Sequence, residues 1–77
     1  MHRFKIYFYQ DGYLVSNILA LVKEYMPNKD KCAYRFINLT TDSLLPESFR
    51  NPAAALRWLD GLELVDWTDV TGNKSFI

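Results

Sequence analysis

A chain of 77 residues with one cysteine, Cys32, and one histidine, His2, has only side-chain packing to hold it together. One thiol closes no intramolecular disulfide, and the Cys and His that would surround zinc or an iron–sulfur cluster are missing. Chains of this mass bury only ~60–65% of their unfolded surface, so the margin is thin and every element must serve one shared core. The material is there: 49% of the residues are hydrophobic and 23% charged, a globular composition. The expected organisation is one domain, residues 1–77.

The same inventory narrows function. His2 stands where a terminus frays, and Gly12, Gly61 and Gly72 are too far apart to cradle a phosphate. The reading is a non-enzymatic protein with no cofactor and no metal. Formal net charge is zero, which argues against nucleic-acid binding by bulk charge. The N-terminal residues are apolar only at alternate positions, unlike a signal-peptide core, and no apolar run spans a bilayer. A cytoplasmic protein without a membrane partner is expected. The triplets Asn38-Leu39-Thr40 and Asn73-Lys74-Ser75 then read as chance matches to the glycosylation pattern.

Phe4, Ile6 and Phe8 alternate with Arg3, Lys5, Tyr7 and Tyr9, which predicts a first strand with one apolar face. Asp11-Gly12 ends it. Beyond that pair, Leu14, Ile18, Leu21, Val22 and Tyr25 fall on one side of a helical wheel. Val15, Leu19 and Met26 widen the arc to about 160° at about 100° per residue. The spacing predicts a helix over 14–26, capped by Asp11 or Ser16 and stopped by Pro27. Residues 32–40, apolar on both parities, predict a second, interior strand, and 41–50 an irregular connection. Asn51-Pro52 at the start and Gly61 at the left-handed exit predict a second helix. A third strand follows within 62–70, and residues 75–77 can fold back as a short final one.

The expected fold is an α/β two-layer sandwich of order β-α-β-α-β, two helices on one face of a three- or four-stranded mixed sheet. Phe4, Ile6, Phe8, Leu14, Ile18, Leu21, Val22, Phe36, Leu56 and Leu59 would form its core, and the other sheet face would stay open.

Arg3, Lys5, Tyr7 and Tyr9 would lie on that open face with Arg35 or Tyr34, rings interleaved with cations that can stack bases and neutralise phosphates. This strand–helix–strand opening resembles the RNA-recognition-motif plan, and Pro52–Leu62 resembles that family's second helix. The resemblance implies single-stranded RNA or DNA binding. The chain departs from it at 43–50, where that family has a strand with a glycine- and aromatic-rich signature. The opening is also similar to the thioredoxin-like plan, but Asp11-Gly12-Tyr13-Leu14 stands where a redox cysteine would be, which excludes that chemistry for Cys32.

Charge is unevenly divided. Residues 1–38 hold six Lys/Arg against three Asp/Glu, and residues 39–77 three against six. Asp60, Glu63, Asp66 and Asp69 form an acidic rim beside Trp58, an aromatic anchor on the flank of the second helix, suited to a basic protein partner. Together these features predict a small protein-binding module, a regulator or inhibitor of the phage or plasmid type that occludes a partner's surface. The alternatives are single-stranded nucleic-acid binding and a homodimer paired through an edge strand.

Overall fold

The computed structural model describes residues 2–26 and 31–72. They form β1 (His2–Gln10), β2 (Tyr13–Met26), β3 (Lys31–Asn38), β4 (Ser43–Phe49), α1 (Pro52–Asp60) and β5 (Asp66–Asp69). The strands make one sheet, ordered β4-β3-β2-β1-β5, antiparallel at every pairing. The two-helix α/β sandwich on a mixed sheet is therefore incorrect: the order is β-β-β-β-α-β, and one helix packs on an antiparallel sheet. The strand–helix–strand opening behind both family resemblances is absent as well.

The error lies at Asp11-Gly12. Both residues have positive φ, 52° and 83°, as a two-residue type I′ hairpin turn requires, and Gln10 pairs directly with Tyr13. Asp11 is thus a turn residue and no helix cap, and Ser16 lies mid-strand opposite Tyr7. Ile18–Val22 is apolar on both parities, a run that satisfies a helical stripe and an interior strand equally well. Pairing decides between them. β2 bonds to β1 through Tyr13–Leu21 and to β3 through Leu19–Met26, so each of its residues has a ladder partner and Leu19, Ala20 and Leu21 have one on both sides.

Three other expectations change. The connection over 41–50 contains β4, an outer strand, where proline such as Pro46 is tolerated; the ladder slips in register between Arg35 and Ile37. Of residues 62–70 only Asp66–Asp69 is a strand. Gly61 ends α1 at φ −87°, not left-handed, and donates its N–H to the Arg57 and Trp58 carbonyls at 3.1 Å. The start of α1 is as predicted: Asn51 Oδ1 accepts from the Ala54 N–H at 2.8 Å, and Pro52 opens the first turn. The final strand at 75–77 lies outside the described residues.

The core joins Phe4, Ile6, Leu19, Leu21 and Phe36 of the sheet to Ala55 and Leu59 of α1. Phe8 and Leu56 pack at its margin, whereas Leu14 is 55% exposed and Ile18 and Val22 are half-buried on the opposite face. Helical phasing had placed those three inside; a period of two puts Leu19 there instead. Asn38, almost buried, closes the β3–β4 turn by accepting from the Thr40 and Thr41 N–H groups, which leaves its amide engaged. Among the described residues no helix is long and apolar enough to cross a membrane.

Strand phasing has a direct test. Leu19→Ala should cost about 2–5 kcal/mol, and Leu14→Ala less than about 0.5 kcal/mol. Urea unfolding of both variants checks this; equal losses would restore the helical phasing.

Candidate functional site

Alternation along a strand sends neighbouring side chains to opposite faces, and directly paired residues share a face. With Phe4 and Ile6 turned toward α1, Arg3, Lys5, Tyr7 and Tyr9 project from the other side of the sheet, which no described element covers. Their partners on β2 are Ala20, Ile18, Ser16 and Leu14. Farther across the same face, Val22 pairs with Arg35 and Ala20 with Ile37, which in turn pairs with Leu44 of β4. All five residues predicted to form a basic–aromatic face, Arg3, Lys5, Tyr7, Tyr9 and Arg35, therefore lie on one surface.

That surface is more apolar than the sequence reading anticipated. Ala20 and Ala33 form a buried floor between longer side chains, with Ile18, Val22 and Ile37 half-buried around them. Leu14, Leu39 and Leu44 are each about half exposed. These apolar members were missed because Leu14, Ile18 and Val22 had been assigned to a helix and Leu44 to a loop. The signal that could have found them is Asp-Gly between two apolar runs, which makes residues 14, 16, 18, 20 and 22 one parity of a hairpin strand.

The cations here are not equivalent. Arg35 Nη1 meets Glu24 Oε2 at 3.5 Å, and its Nη2 donates to the Leu45 carbonyl at 2.7 Å. Lys5 Nζ stands 5.4 Å from the centre of the Tyr7 ring. Arg3 has no carboxylate partner among the described residues, and its Nε, like that of Arg35, is buried without a hydrogen bond. Such a group costs about 1–3 kcal/mol while it remains unsatisfied. Arg3, Ile18, Leu39 and Thr40 line a recess of ≈ 190 Å³.

The acidic rim and its anchor are placed differently. Trp58 stacks on Phe36 of β3, centroids 5.6 Å apart at 28°, and leans on Phe49 of β4 at 5.5 Å. Asp66 and Asp69 belong to β5 at the other edge of the sheet, so the structure does not gather Trp58 with them. Asp60 Oδ1 accepts from Trp67 Nε1 at 3.3 Å, Asp66 Oδ1 from the Trp67 N–H, and Glu63 is exposed. Charge along a short outer strand discourages pairing with another chain. Asp66 also faces the uncovered surface opposite Tyr7. Cys32 carries a half-buried free thiol and lies opposite Tyr25 in the β2–β3 register, and among the described residues no His, Cys, Asp and Glu cluster could hold a metal ion.

Asp69 ties down the end of β5. The Thr71 hydroxyl, and then its backbone N–H at 2.8 Å, hold the Asp69 carboxyl below its ordinary value of 3.8. A lowered folded-state pKa contributes stability that is present above the unfolded value and lost as pH falls through the folded one. The stability curves of the native chain and Asp69→Asn should therefore converge below pH 3.8, by a small amount because the carboxyl is exposed. Denaturant titrations at stepped pH test this, and curves that stay parallel would refute it. Trp58→Ala should destabilise the fold by about 3 kcal/mol, read from the same titrations at neutral pH.

No family model matches the chain, and no curated protein or solved structure matches it.

Proposed function

We propose that this protein is a non-catalytic binding module that docks a partner protein on the uncovered face of its sheet and regulates or inhibits that partner by occlusion. The supporting observation is the placement of its exposed apolar side chains. Among the described residues seven large hydrophobics are exposed, and Tyr9, Leu14, Leu39 and Leu44 all lie on this face or at its rim. Apolar surface left in water gains about 25 cal/mol for each Å² that a partner covers, and contiguous patches of this kind mark interaction sites. Tyrosines and arginines beside aliphatic groups supply the anchors that interface hot spots favour.

A second reading, single-stranded nucleic acid, is favoured by one observation: Tyr7, Tyr9, Arg3, Lys5 and Arg35 share the surface, with Lys5 against the Tyr7 ring. Two facts weigh against it. Glu24 offsets Arg35, and Asp66 stands opposite Tyr7, where a phosphate backbone would run.

The test is recovery of the native complex with tagged protein expressed in its own host. The variant Leu14→Arg/Leu44→Arg should lose the complex by about 2 kcal/mol or more, while Val65→Arg, exposed but not on this face, should keep it with and without nuclease. A complex that survives the double substitution overturns the reading. Binding abolished by nuclease, together with an anisotropy change on titrating mixed oligonucleotides at low salt, would favour nucleic acid instead.

A further inference from the structure

The uncovered face carries a charge arrangement that narrows its partner, given that the docking reading above holds. Glu24 meets Arg35 near one end, and toward the other the Asp66 carboxylate, opposite Tyr7, accepts from the Trp67 N–H. Between them Arg3 has no carboxylate partner among the described residues, its Nε, like that of Arg35, is buried and unbonded, and the residue lines the ≈ 190 Å³ recess with Ile18, Leu39 and Thr40. Leu39 in that lining is 48% exposed, and Leu44, 52% exposed, lies farther across the same face opposite Ile37. A cation in apolar surroundings, with donors in a planar fork, suits a carboxylate held by two parallel hydrogen bonds.

Other occupants fit less well. A second copy of this chain would have to bring Asp66, whose Oδ1 already accepts from the Trp67 N–H, to Arg3 of the first. A single-stranded nucleic acid would supply anions, but Ile18, Leu39 and Thr40, which line the recess with Arg3, offer no ring on which a base could stack.

We propose that this face takes an acidic–aliphatic protein segment. One Asp or Glu carboxylate pairs with Arg3 in the recess, and Leu, Ile or Val residues beside it cover Leu39 and Leu44. Recognition is then charge-assisted at the centre and apolar around it.

The probe is a displayed library of random linear peptides selected on the full chain, with enriched peptides synthesised and measured by calorimetry. Enriched sequences should place Asp or Glu beside Leu, Ile or Val. Arg3→Gln should weaken them about tenfold or more, Arg3→Lys should recover part of the loss, and exchanging the peptide's acid for its amide should add nothing further in the Arg3→Gln background. Melting curves establish that each variant is folded, and Arg3→Lys carries the comparison if Arg3→Gln is not.

Peptides without an acid, indifference to Arg3→Gln, or no enrichment at all would overturn the proposal. Peptides lost on Leu44→Arg but indifferent to Arg3 would overturn the acidic chemistry and leave the docking face standing. Indifference to both substitutions would remove the docking face too. Dimerisation abolished by Leu44→Arg, or oligonucleotides that displace the peptides, would likewise overturn it in favour of a second copy or of nucleic acid.

Discussion

The structure hangs on three residues of β2. β1 pairs with Tyr13–Leu21 and β3 with Leu19–Met26, so the two ladders overlap only at Leu19, Ala20 and Leu21. All three are buried. There Phe4 lies opposite Leu19 and Phe36 opposite Leu21, and the two rings meet edge to face at 6.2 Å. Outside the overlap, each half of β2 pairs with only one of these two strands. The sheet is therefore long and staggered, and the one place where it is wide enough to support a core is the crossing of the two ladders. The nine residues of α1, ~14 Å of helix at ~1.5 Å per residue, cover little more than that crossing.

Core and candidate surface follow from one register. The two-residue turn at Asp11-Gly12 sets Gln10 against Tyr13, and every later pair in the hairpin follows from it. A slip of one residue would send β2's apolar set to the other face and break its match with β1. With the register as it is, Phe4 and Ile6 meet α1 while Arg3, Lys5 and Tyr7 face outward. The burial that stabilises the fold and the chemistry available for binding are thus two sides of the same β1–β2 ladder.

Aromatic side chains extend this core to both edges of the sheet. Phe36 contacts Phe4, Phe49 and Trp58, and Phe4 in turn meets Trp67 of β5 at 5.8 Å. One short helix with two fully buried positions, Ala55 and Leu59, holds its place because these rings fill the space around it. Trp58 is committed to that packing; of the exposed large hydrophobics, Tyr9, Leu14, Leu39 and Leu44 lie on the opposite face or at its rim, while Tyr13 and Tyr25 stand at the two ends of β2 on the α1 side.

Single elements of this were legible in the residues but the fold class was not, and the division has a physical basis. The strand at Phe4-Ile6-Phe8 and the helix opened by Asn51-Pro52 were determined by sequence, because alternation and capping are local properties of a few neighbouring residues. The common face of Arg3, Lys5, Tyr7 and Tyr9 followed from the same alternation. β2 was not legible: its apolar run fits two periods, and only the ladders on either side select the strand. β4 was hidden by Pro46, and β5 finds its place through pairing with β1, which brings the Thr71 hydroxyl to the Arg3 N–H across 68 positions. Sequence by itself determined which residues shun water and where the chain can turn. Tertiary structure decided which strands satisfy one another's backbone groups, since that depends on segments far apart in the chain, and so decided which apolar side chains α1 covers and which stay available to a partner.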